Sequence, residues 1–121
     1  MPRLVSATRI QLVCPAGNPD LRRETYRIIQ HLVAEEVVQS WGGLTYSIAD
    51  PPAFLGQFWG GDHWETDENV LISLDAPGRS ARSLLPYLTE LRDRLNEIYR
   101  SVDQPQKALW ITTHSLRIVL D

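Results

Sequence analysis

Between Gln57 and Glu68 the chain reads QFWGGDHWETDE, which sets His63 beside Asp62 and Glu65 and adds Asp67 and Glu68 just beyond. An imidazole next to carboxylates is the pairing that general acid–base catalysis uses, and the same residue types ligate metal ions. His63 is the candidate catalytic residue on that ground. A metal site needs three or four donors that converge, whereas neighbouring positions of a strand point to opposite faces. Asp62, His63 and Glu65 converge only if the turn is irregular, and His114 is a distant candidate for a fourth ligand. No HxH or HExxH spacing supports such a site. The expectation is no metal and no cofactor, with the carboxylates solvated at an acidic tip.

Other chemistries lack their motifs. The chain has no GxxxxGK[ST] or GxGxxG phosphate loop and no GxSxG nucleophile elbow. Cys14 is the single cysteine, which excludes an internal disulfide, and its place in an apolar run reads as a buried, inert thiol. Glu35-Glu36, with Arg27 and Gln39, reads as a solvated helix face, and His31 as a surface or half-buried helix residue. The residues left without an assignment are aromatic. Trp59 and Trp64 flank Gly60-Gly61, Tyr46 lies in an alternating run, and Trp110 is out of phase with Leu109 and Ile111. These four, with His114 in the polar stretch Thr112–Ser115, are the candidate binding residues, because Trp and Tyr combine apolar area with a polar handle.

The elements that must position them follow from periodicity. Thr8–Cys14 alternates, with Ile10, Leu12 and Cys14 on one face, and predicts a strand. Asn18-Pro19-Asp20 supplies an N-cap, a first-turn proline and a first-turn acid. The apolar stripe from Leu21 to Trp41 then predicts one helix of about 22 residues, ended by Gly42-Gly43. Leu44–Ile48 predicts a second strand, interrupted by Asp50-Pro51-Pro52 and resuming over Phe54–Trp59. Gly60-Gly61 suits a hairpin turn, and Asn69–Asp75 is the next strand, closed by Pro77-Gly78. Leu84, Leu88, Leu91, Leu95, Ile98 and Val102 stripe a second helix. Ser83 is its expected N-cap, since a start at Ser80 would put Pro86 inside the helix. Ala108–Thr113, continuing through Leu116–Leu120, predicts the last strand.

The order β-α-β-β-α-β specifies an α+β fold, the ferredoxin-like plait. Two helices cover one face of a four-stranded antiparallel sheet, and the first and third strands are central. Residues 1–121 read as a single domain of this kind. One sheet face stays bare, and Tyr46, Trp59, Trp64 and Trp110 are its expected aromatic occupants.

The run WGGLTY, then LGQFWGGDHWETDENVLISL, a leucine-striped helix and QPQKALWIT together resemble a family of small uncharacterised bacterial proteins of ferredoxin-like βαββαβ fold. The resemblance spans residues 41–113 and departs from the family's pattern at Asp50–Phe54. It implies the plait and no activity.

Composition bounds the rest. Of 121 residues, 43% are hydrophobic and 22% charged, the net charge is −3, and Arg22-Arg23 is the longest basic run, so nucleic acid is not an expected partner. No apolar run approaches a membrane span, and the N-terminus lacks a signal-peptide pattern, so a soluble, cytoplasmic protein is expected. The function expected is a small accessory module that binds a ligand or protein and acts as a homodimer through its sheet. One alternative is a cofactor-free enzyme of the dimeric α+β barrel type, an isomerase, dehydratase or monooxygenase with His63 as base. Another is a partner-specific inhibitor or immunity-type protein that uses the acidic tip.

Overall fold

A computed structural model describes residues 1–47, 54–103 and 110–121, without the side chains of Phe54, Leu55, Gly56, Phe58 and Trp110. The Asp50-Pro51-Pro52 interruption and the start of the last strand at Ala108-Leu109 lie outside the described residues.

The first strand, β1, runs over Arg3–Pro15 and buries Thr8, Ile10, Leu12 and Cys14 on one face. Helix α1 (Pro19–Ala34) starts as the sequence predicts, with the Asn18 side chain accepting the Leu21 backbone N–H at 2.9 Å. The predicted continuous helix is broken. Glu35 adopts an extended conformation, and a second helix, α2 (Glu36–Trp41), follows it. The Glu35 side chain reaches across to Tyr87 and Arg94, and the Gln39 amide donates to the Val33 carbonyl left unpaired at the break. Gly42 ends α2 at φ +100°, a conformation that only glycine adopts freely.

Strands β2 (Leu44–Tyr46) and β3 (Phe54–Trp59) both pair with β4 (Trp64–Pro77) on the edge opposite β1. Leu44 faces Leu74, so an uninterrupted strand would set residue 49 against Asn69. Phe54 stands there instead, five positions later. Together β2 and β3 fill the place of one edge strand. With β5 (Trp110–Leu120) on the far side of β1, the order β2–β4–β1–β5 is the plait's, and the strands are antiparallel.

Helix α3 (Ala81–Ser101) differs from expectation at its start. Ser80, not Ser83, is the N-cap. The Ser80 hydroxyl accepts the Ser83 N–H at 3.1 Å, and the Ser83 hydroxyl accepts the Ser80 N–H at 3.1 Å. Two helix-end donors are thereby satisfied at once, while Pro86 sits exposed inside the helix. The leucine stripe holds: Leu84, Leu88, Leu91 and Leu95 pack with Ile28, Leu32, Ile72 and Leu74 between helices and sheet. Each such side chain contributes roughly 1.5–3 kcal/mol by leaving water. Tyr99 is wholly buried. Its hydroxyl stands 2.9 Å from that of Thr25, which donates to the Pro15 carbonyl at 2.6 Å, so these polar atoms of the core are matched. Among the described residues no helix is long and apolar enough to cross a membrane.

Candidate functional site

The β3–β4 hairpin carries the first group. Trp59 and Trp64 are directly paired across the strands, and their rings meet edge to face at 5.6 Å. Such a pair is worth about 0.5–1.5 kcal/mol beyond its buried area, and here it fastens the register next to the turn. Gly61 at φ +106° makes that turn, closed by the Gly60 N–H donating to the His63 carbonyl at 2.9 Å. Even paired, Trp59 and Trp64 are 56% and 66% exposed.

The turn does bring His63 and its carboxylates together. Nδ1 contacts the Asp62 carboxylate, and Nε2 stands 3.4 Å from Glu65 Oε1. Asp62 and His63 are exposed, the His63 side chain to 60%, Glu65 is half-buried, and His63 lines none of the cavities at Arg9, at Glu35 and at Arg79. His114 cannot join them. It pairs with Arg9, which is level with Asp75, and the eleven steps along β4 from Trp64 to Asp75 span roughly 35 Å. Among the described residues no three His, Cys, Asp or Glu side chains are disposed to hold an ion.

The bare sheet face is the second group, and it is not the aromatic platform that alternation suggests. Tyr46 pairs with Ile72, so it lies on the helix-covered side, at the sheet edge and 41% exposed. Trp64 and its partner Trp59 are in phase with Val70 and Ile72, again the helix side, but beyond the helices. Trp110 is level with Val13 in the register, and its side chain lies outside the described residues. The face carries Arg9, Gln11, Ser73 and Asp75 instead. Arg9 donates to Asp75 through Nε at 2.8 Å and through a terminal nitrogen at 3.1 Å, and Gln11 donates to the Ser73 hydroxyl at 3.2 Å. His114 is exposed beside Arg9 on this face.

That fork and charge raise the Arg9 pKa still further above its ordinary value, so the guanidinium stays charged. Sequence alternation places Arg9 and Asp75 on the outward faces of their strands, but only the register makes them partners. Beside them a cavity of about 490 Å³ opens at the sheet edge, walled by Arg9, Asp75, Ser73, Thr45, Gly43 and Trp41. Its mixed donors and acceptors suit a small polar ligand more than an apolar one.

The third group lies where the sequence reads as a solvated helix face. Glu35 accepts the Tyr87 hydroxyl at 2.8 Å and Arg94 at 2.7 Å, over a cavity of about 250 Å³ between α1 and α3 that His31 also lines. Burial, then the Glu35 carboxylate, hold the Tyr87 phenol well above its usual range. Nothing in the local pattern of Glu35-Glu36 marks the first glutamate as different from the second.

No protein-family model matches the chain, and no curated protein does. Solved structures do. A periplasmic divalent cation tolerance protein CutA from Archaeoglobus fulgidus superposes with a TM-score of 0.55 at 13% identity, covering 89% of this chain and 81% of that one. A divalent cation tolerance protein (Cut A1) from Thermus thermophilus gives 0.56 at 11% identity, covering 89% and 82%. A divalent ion tolerance protein CutA1 from Ehrlichia chaffeensis gives 0.57 at 11% identity, covering 93% and 82%. At these identities the likeness establishes the ferredoxin-like α+β fold and nothing finer.

Proposed function

We propose that the protein is a small binding module that works as a homo-oligomer, with a dimer as its smallest form, and that the β3–β4 hairpin is the contact surface. The observation that carries this is the Trp59–Trp64 pair, more than half exposed on a hairpin whose β3 packs against β4. Aromatic area held outside a core belongs to an interface or a ligand far more often than to open solvent. The carboxylates Asp62, Glu65 and Asp67 around it would confine the contact to a complementary, cation-bearing surface. The polar sheet face and its cavity at Arg9 and Asp75 leave room for a small ligand. A cytoplasmic location belongs to the same proposal, and cell fractionation decides it.

Light scattering at micromolar concentration tests the assembly. An oligomer that Trp59→Ala with Trp64→Ala converts to a folded monomer supports the reading. A clean monomer of the unaltered chain overturns it.

A second reading draws on the divalent-cation names of the solved structures and on His63, whose two ring nitrogens each face a carboxylate. Zinc that raises the melting temperature of the protein but not that of His63→Ala supports cation capture at the tip. An unchanged melting temperature removes it.

A further inference from the structure

We propose that a groove at the start of α3, far from the hairpin, binds a phosphate-class oxyanion. The groove has a volume of about 490 Å³ and is lined by Arg79 and Arg117 with the hydroxyl-bearing Ser6, Ser80 and Ser115. No carboxylate is among its lining residues. The two arginines come from different elements. Arg79 sits in the β4–α3 turn, and Arg117 lies on β5 opposite Ser6 of β1. Among the described residues neither guanidinium has a hydrogen bond or ion pair, in contrast to Arg9, Arg23, Arg27 and Arg94, each of which reaches a carboxylate.

The backbone that carries Arg79 is fastened while its side chain is not. The Thr8 hydroxyl donates to the Arg79 carbonyl at 2.6 Å, the Gly78 N–H donates to the Ser6 carbonyl at 2.8 Å, and Gly78 turns the chain at φ +71°. Preorganisation of this kind cuts the ordering cost of binding. Two guanidinium forks on one groove match the geometry of a tetrahedral oxyanion, and serine hydroxyls supply further donors. The chain as a whole carries a net charge of −3, so its long-range field repels anions and capture must come from this local pair. The absence of any acidic residue in the first turn of α3 keeps the groove free of competing charge.

The test is a titration of the full chain with inorganic phosphate from about 1 mM upward at constant ionic strength, followed by amide chemical shifts. Saturable shifts confined to Gly78–Ser80 and Ser115–Arg117 are expected. Arg79→Gln and Arg117→Gln should each weaken binding about tenfold, with the amide spectrum elsewhere unchanged. Acetate distinguishes a tetrahedral dianion from a simple carboxylate, and should bind more weakly. Overturning results are shifts that chloride reproduces, shifts that persist in the double variant, or no shift at all.

Discussion

Glu35 and Tyr87, 52 residues apart in the chain, share a 2.8 Å hydrogen bond in which the phenol donates to the carboxylate. This bond ties the α1–α2 break to α3, and Arg94 approaches the other carboxylate oxygen at 2.7 Å. Tyr87 also meets Trp41 of α2 edge to face, with ring centroids 5.5 Å apart. The short helix α2 is therefore held at both ends by one residue's neighbours. Glu35→Ala leaves a half-buried hydroxyl without its acceptor, which costs about 1–3 kcal/mol. The Arg94 contact adds little, because that side chain is 47% exposed. Denaturant unfolding of Glu35→Ala, Tyr87→Phe and the double variant should show the double losing less than the sum of the singles. Strict additivity would mean that the bond is not formed in solution.

The same phenol sets a pH limit. Burial is the main cause holding both Tyr87 and Tyr99 protonated well above the usual phenol range, with Glu35 adding to it at Tyr87 and Cys14 at Tyr99. In the unfolded chain both ionise near pH 10. Their contribution to stability is therefore fully present below about pH 10 and is lost as the pH rises beyond it, because the unfolded state releases protons that the folded state retains. The melting temperature should fall steeply above that point. Replacing both tyrosines by Phe should flatten the fall, and an unchanged slope would show that neither phenol is protected.

Much of this fold is legible in the sequence, and the reasons show where legibility ends. Periodicity is a local property, so Ile10, Leu12 and Cys14 predict the buried face of β1, and the Leu84–Leu95 stripe predicts that of α3. Asn18 and Pro19 announce the start of α1 for the same reason. The candidate site is less legible because it is made by register. Tyr46 reads as a bare-face residue until its pairing with Ile72 is known, and alternation puts Arg9 and Asp75 on the outward faces of two strands without pairing them. The helix break at Glu35 depends on Tyr87 and Arg94, which no window around Glu35 contains. The juxtaposition of Trp59 with Trp64 is legible as spacing about a turn, and their exposure follows from reading them outside the core. Their phase with Val70 and Ile72, on the helix side of the sheet, is set by register and is not legible.

Cys14 gives a chemical check on the core. Its thiol is pushed up to about 11 by burial, against a smaller opposing effect of the Tyr99 hydroxyl. Since the thiolate is the reactive form, alkylation at pH 8 should run at least about a hundredfold slower than for a free thiol, and recover in denaturant. Rapid labelling of the native protein would mean that β1 and α3 part readily near Tyr99.

Pro86 decides how α3 begins. With Ser80 as N-cap the ring lies inside the helix, where it supplies no N–H and crowds the carbonyl of Arg82 one turn earlier. Its side chain is exposed, so replacement sacrifices no packing. Pro86→Ala should therefore stabilise the protein by about 1–3 kcal/mol, and Ser80→Ala should cost about 1 kcal/mol through the lost cap. A helix that began at Ser83 would behave otherwise. Pro86 would occupy its third position, where no backbone donor is needed, and Pro86→Ala would bring no gain. Ser80→Ala would then be neutral and Ser83→Ala costly. Thermal unfolding of the three variants separates the two starts, because the reciprocal bonds between Ser80 and Ser83 require both serines to matter.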